Sequence, residues 1–426
     1  MQKFIITILF AVSIFIVQQN DVKAQSLDSL GTVVEKLNDD FIVSKRLKFS
    51  GYVQAQWQHA DTVGISSFAG GNFPSNVDNR FSIRRGRLKA TYDIGISQMV
   101  LQLDVTEKGV GIKDAYLKIS DPFIQVFSFQ AGVFDRPFGF EISYSSSIRE
   151  SPERSRMFQT IFPGERDLGA KLVLQAPKTS KLNIFKLEGG LFNGTGPTAV
   201  DFDSHKDFIG NFSFNKSLKN EKANFAARVS YYNGGYRQPT KFIYNRIGDI
   251  GGGISGFLVD STSENKGSIV KREYFGADAQ ISVLSMLGLS TLRAEYIYGT
   301  QAGTASTTTS PSSEPTSDAF IRNFNGAYFY FLQNIGQSKH QLLLKYDWYD
   351  PNTDVSGDQL GQNKSKLTKT DLKYTTIGLG WVYRFDANLK FIVYYDMVEN
   401  EISSNLNGFD KDLKDNVLTL RIQYKF

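Results

Sequence analysis

The sequence predicts an all-β chain, a transmembrane antiparallel barrel of sixteen strands with a long third loop folded inward. Three observations predict it. From Arg46 onward the hydrophobic period is two, in sixteen stretches separated by turns rich in Gly, Asn, Asp and Ser. The connections between these stretches alternate between short and long, as the two ends of a membrane barrel require. In the last stretch Leu418, Leu420, Ile422, Tyr424 and Phe426 interleave with Thr419, Arg421, Gln423 and Lys425, so one face suits lipid and the other water. A soluble sandwich has short turns throughout and needs no such alternation of loop length.

Residues 1–24 read as a secretory signal peptide. Lys3 supplies the positive start, an apolar run follows, and Val22-Lys23-Ala24 precedes the expected cut. That run is too short to cross a bilayer as a helix, and no other run approaches the length needed, about 18 residues. Residues 25–45 read as a short amphipathic helix and linker: Leu27, Leu30, Val33, Val34 and Leu37 are spaced as a helical face. Such a helix is expected to pack on the barrel rim or to join subunits as a small coiled coil. The barrel domain is 46–426.

Within it, strands are expected at 47–58, 81–94, 98–107, 112–120, 124–134, 168–176, 182–192 and 207–215. The remaining eight are 224–233, 274–282, 292–299, 323–332, 340–350, 374–385, 388–399 and 416–426. Residues 134–168 interrupt the period for about 30 residues, with five Arg against four Glu and aromatic anchors at Phe134, Phe138, Phe140, Phe158 and Phe162. Those anchors argue for a folded segment rather than a disordered one. The polar 301–318 segment reads as a mobile external loop.

Composition narrows the function. Tyr 20 and Phe 34 against Trp 3, Met 5 and Pro 11 lean to strands, and the net charge is +5. The basic residues are spread along alternating strands rather than gathered in a helix or tail, which argues against nucleic acid as a partner. With no Cys there is no disulfide framework, thiolate metal site or Cys nucleophile. His59, His205 and His340 have no ligand spacing and read as loop or lumen residues, and no nucleophile elbow or phosphate loop is present. Asp350, Asn352 and Asp354 have the spacing of a calcium loop, but Val355 stands where Gly is needed and Gly361 where Glu is needed, so an Asx-capped turn is expected. No catalytic residue, cofactor or metal is assigned.

Arg85, Arg87 and Lys89 form a ladder, about 6.6–6.8 Å per two-residue step, facing away from Leu88, Ala90 and Tyr92. Cations in a water-filled lumen favour anions. The other reading pairs them with Asp104, Asp114, Glu188, Asp278, Glu295 and Asp347.

Several runs here resemble the phosphate-selective porin O/P family of outer-membrane porins. They are Phe81 to Leu88 (FSIRRGRL), Ala131 to Glu141 (AGVFDRPFGFE), Pro163 to Gly169 (PGERDLG), Gly190 to Asn193 followed by Gly194 (GLFNG), and Tyr346 to Asn352 (YDWYDPN). They occur in family order across nearly the whole mature chain; a lysine-rich region carried by phosphate-specific members has no counterpart. The resemblance implies a sixteen-stranded barrel, a homotrimer, a third loop that constricts the lumen, and passive diffusion of anions such as phosphate. A terminal Phe426 resembles the signal read by the barrel assembly machinery of a Gram-negative outer membrane. The expected eyelet residues are Arg85, Arg87 and Lys89 on the wall, with Arg149, Arg154, Arg156 and Arg166 from the loop. The partners are then outer-membrane lipid and small hydrophilic solutes. An alternative is a barrel that captures a surface ligand behind a closed lumen; a barrel enzyme lacks a nucleophile–His constellation.

Overall fold

The computed structural model describes residues 46–218 and 222–426. The expected signal peptide and the helix at 25–45 lie outside the described residues. Eighteen strands belong to one sheet. The first nine are β1 (Leu47–Ala60), β2 (Asn79–Ile94), β3 (Ser97–Thr106), β4 (Gly109–Ser120), β5 (Phe127–Asp135), β6 (Arg166–Gln175), β7 (Phe185–Phe192), β8 (Asp207–Leu218) and β9 (Ala223–Arg237). Then come β10 (Ile243–Asp249), β11 (Ser255–Asp260), β12 (Ile269–Ser285), β13 (Gly288–Gly303), β14 (Ala319–Asn334), β15 (His340–Asp350), β16 (Tyr374–Arg384), β17 (Leu389–Asn400) and β18 (Val417–Lys425). β9 pairs directly with β12, so β10 and β11 are a hairpin outside the ring. The other sixteen form a closed antiparallel barrel.

Closure is made by the first and last strands of the described residues. β1 pairs with β18 from Tyr52↔Lys425 to Ala60↔Val417. Phe426 and Gly51 then exchange two backbone hydrogen bonds, of 3.0 and 3.1 Å. The ring therefore has no open edge, the condition for crossing an apolar solvent with strands.

The burial pattern is inverted relative to a soluble protein. On β15 Leu342, Leu344 and Tyr346 face outward at 49%, 45% and 41% exposure, while Lys345 and Asp347 are 3% and 2% exposed. On β18 Thr419, Arg421 and Gln423 are buried while Ile422 and Tyr424 are exposed. An outward apolar face and an inward polar one suit lipid outside and water inside. Outward aromatics gather at both ends: Tyr296, Phe329, Tyr346 and Trp348 towards one, Trp381, Tyr383, Phe385 and Phe391 at the other. Of the three histidines His205 lies in a loop, as expected, and the other two correct the expectation. His59 stacks on Trp57, and His340 accepts a hydrogen bond from the Trp381 indole at 3.0 Å, so both belong to the outward belts rather than to the lumen.

The seven connections that join ring strands at one end are short, as the sequence predicts. At the other end the β3–β4 connection is only Glu107-Lys108, which leaves a low rim there. The remaining long connections pack against one another instead of hanging free. Tyr244, Phe257, Phe320, Val355, Leu360, Leu367 and Leu372 form a second apolar core above the barrel. Beneath it the fully buried Arg322–Asp371 ion pair, at 2.7 Å, ties β14 to the β15–β16 connection. The polar 301–318 segment is tied down too: Arg322 donates to the Thr304 carbonyl, and Thr240 to Asp318. Asp350 accepts from the Asn352 amide at 3.1 Å, which is the Asx turn expected there.

Candidate constriction site

Between β5 and β6 the chain runs through residues 136–165, which include the short helices α1 (Phe140–Ser143) and α2 (Arg156–Ile161). Apolar contacts fix one side of this segment. Phe138, Met157, Phe158 and Phe162 are fully or almost fully buried, in one cluster with Tyr232 of β9, Tyr274 of β12 and Tyr328 of β14. Phe138 and Phe162 lie 5.0 Å apart, and Phe162 meets Tyr274 edge-on at 5.7 Å.

Carboxylates replace the hydrogen bonds that such short helices lack at their ends. Glu295 of β13 accepts from the Phe140 and Glu141 amides, each at 3.1 Å, and from the Tyr328 hydroxyl at 2.7 Å. This arrangement needs glycine at 139, which has φ +63° and where a Cβ would run into the Glu295 carboxylate. Glu141 accepts from the Ser155 amide and hydroxyl, capping α2. Arg154 donates to the carbonyls of Glu141, Ile142 and Tyr144 and pairs with Glu165.

The segment also bonds to the opposite strands. Glu153 pairs with Arg84 and Arg85 of β2 and with Arg421 of β18, at 2.8, 2.7 and 2.9 Å. Gln54 of β1 donates to the Ser146 carbonyl, and Lys390 of β17 to those of Ser147 and Arg149. Burial pushes the Glu153 carboxyl up, but Arg84, Arg85, Arg421 and Arg149 outweigh it and hold the group well below the usual carboxylate range. Glu165 is likewise held well below that range: burial opposes ionisation, and Arg154, Lys113 and Arg166 more than compensate.

Three of the seven candidate cations, Arg85, Arg87 and Arg154, line a cavity of about 290 Å³ beside this segment, together with Arg84, Lys113 and Glu165. Each is paired: Arg85 with Glu153, Arg87 with Asp104 at 2.9 Å, and Arg154 with Glu165. Lys89 is half-buried and does not line that cavity. Arg149 is 2% exposed and donates to the carbonyls of Ser151 and Pro152. Arg166 is held by Asp114, Asp135 and Glu165. Arg156 instead lines a cavity of about 600 Å³ at the long-loop end. Of the six carboxylates weighed as partners, Asp104 and Asp114 meet candidate cations; Glu188 pairs with Lys171 and Lys186, Asp347 with Lys345, and Asp278 faces Arg228 at 3.7 Å.

Arg84, Lys113, Glu153 and Glu165 are the members that strict alternation does not supply. On β2 the outward residues change from Phe81 and Ile83 to Leu88, so both Arg84 and Arg85 turn inward to one carboxylate. On β4 the register skips Lys113 between Ile112↔Leu103 and Asp114↔Gln102, a bulge that brings Lys113 and Asp114 to the same face. Adjacent charges within otherwise alternating strands are the signal for both breaks.

Over 89% of its length the chain is similar in architecture to solved outer-membrane proteins. An anion-selective porin from Comamonas acidovorans superposes with TM-score 0.54 at 11% identity, covering 89% of this chain and 99% of that one. The outer membrane channel DcaP of Acinetobacter baumannii gives 0.51 at 12%, covering 89% and 97%. The chain has the porin fold. A loop-deletion variant of OmpT, an outer membrane protein of Vibrio cholerae, gives 0.50 at 10%, covering 89% and 99%. At these identities the likeness is one of fold. No protein-family model matches the sequence. No curated protein matches it either.

Proposed function

We propose that the chain is an outer-membrane porin of a Gram-negative bacterium that passes small hydrophilic solutes down their gradients, with residues 136–165 as its inward-folded constriction. The observation that carries this reading is the inverted wall: ionised and amide side chains buried on the inner face, leucines and aromatics exposed on the outer one. Such a wall has no use in a soluble protein, and its inner face solvates a polar path. The reading assigns no catalysis to the chain.

Selectivity is the finer part of the proposal. The 290 Å³ cavity is lined by five cations (Arg84, Arg85, Arg87, Lys113 and Arg154) against three carboxylates (Asp104, Glu153 and Glu165). That excess favours anions modestly and most at low salt; phosphate is one anion of this class. A homotrimer and recognition of Phe426 by the assembly machinery complete the reading, both from the resemblance.

Liposome swelling with neutral sugars of increasing size tests it. A porin gives swelling rates that fall with solute size. A barrel that binds a surface ligand behind a closed lumen gives none, and that result replaces the reading.

A further inference from the structure

We propose that the cavity at the long-loop end is a binding site for an acidic sugar, a polyhydroxylated ring bearing a carboxylate or phosphate, with Arg156 as its anion receptor. The inference rests on the porin reading and names the solute class that its mouth selects.

Arg156 differs from the other loop arginines. Arg136, Arg154 and Arg166 have carboxylate partners, and Arg149 is spent on carbonyls. The Arg156 guanidinium is held between the rings of Phe68 and Tyr374, at 4.4 and 3.6 Å, and forms no ion pair among the described residues. Its buried Nε has no hydrogen-bond partner there. Two rings fix the plane of the fork, and Asp415 and Asp347 act on its charge without closing an ion pair, which leaves it suited to bidentate capture of a carboxylate or phosphate. Cation–π contact holds a guanidinium without neutralising it.

The surroundings supply the rest of the recognition. The cavity, about 600 Å³, is of a size that takes small molecules. Lys369 and Lys414 join Arg156 on its wall, where Asp415 is the one carboxylate among the described lining residues. Hydroxyls from four connections line it, with Thr62 and Ser66 after β1, Thr160 on α2, Thr309 after β13 and Thr370 before β16. Hydroxyls both donate and accept, as do those of a sugar. Tyr349, Tyr374 and Phe409 offer flat apolar faces for the C–H side of a ring. A bare inorganic anion uses only the cations of this wall, and a neutral sugar only its hydroxyls and rings.

The test is solute-induced block of KCl current through the full-length protein in planar bilayers, titrated with glucuronate, glucose 6-phosphate, glucose and benzoate. At least one of the two acids blocks half-maximally at a concentration at least 10-fold lower than both glucose and benzoate, and Arg156→Gln removes that ratio. Glucuronate and glucose 6-phosphate distinguish the two anionic heads. Equal block by all four, or a ratio unchanged in Arg156→Gln, overturns the inference while leaving a conducting pore in place. If Arg156→Gln does not insert, Arg156→Lys decides: it keeps the charge, loses the fork, and is expected to lower the ratio, whereas a wild-type ratio overturns the proposal. A protein that does not conduct fails the porin reading. The same solutes are then compared by calorimetric titration in detergent, where a 10-fold preference for an acid supports the site and equal affinities overturn it.

Discussion

Glu153 gathers three guanidiniums, two from β2 and one from β18, onto the segment that crosses between them. Its carboxyl is held well below the range of an unfolded chain, so its ionised form stabilises the fold at all pH values above that range. The contribution is lost as pH falls through the lowered value. The thermal midpoint in detergent should therefore be flat near neutrality and fall below about pH 4. Glu153→Gln leaves buried guanidiniums short of their counter-charge, at a cost of about 3–5 kcal/mol. A lower midpoint at pH 7 and a weaker acid slope are expected in the same melts. Asp415 behaves in the opposite sense. Burial pushes its carboxyl up to about 6, although Arg156 pulls it down, so it loses its charge as pH falls from 7 to 5. The mouth then becomes more positive. Reversal potentials under a KCl gradient should shift toward chloride over that interval, and Asp415→Asn should flatten the shift.

At the level of elements, the segment proposed as the constriction contains two helices too short to stand alone, docked by aromatic rings and end-capped by carboxylates. Gly139→Ala adds a Cβ where φ is positive and the Glu295 carboxylate already sits. The left-handed penalty alone is about 1–2 kcal/mol. The α1 anchor should loosen, and single-channel recordings should show a larger or noisier conductance than wild type. The sixteen ring strands were legible because each keeps one face for lipid, so the period of two survives along its whole length. The hairpin of β10 and β11 was not read. It packs on other loops rather than lipid, and its two strands have only seven and six residues. The glycine triplet at its turn, Gly251 to Gly253, all with positive φ, was the signal available. The site was legible in part. Arg85 and Arg87 follow from alternation, but Lys113 stands at a bulge, and bulges break the rule that places side chains. Partners such as Glu153 come from a stretch with no period at all, so no spacing could show which charge they meet.

The molecule as a whole is defined by what surrounds it. In a soluble protein an exposed Leu344 would accept Arg with little effect. In a barrel whose outer face meets hydrocarbon, Leu344→Arg at mid-strand costs about 2–4 kcal/mol, measurable as a lower unfolding midpoint in lipid vesicles. Val200→Arg, at an exposed apolar position in the connection after β7, should cost little. A polar lumen, an apolar belt and a braced segment between β5 and β6 together make one claim, that ions cross this protein through its interior. The most direct test is single-channel recording of the purified full-length protein in a planar bilayer under a KCl gradient. Discrete, stable conductance steps with a modest reversal-potential shift toward chloride are expected; an absence of steps, or a cation-selective pore, rules out an anion-favouring path through the barrel.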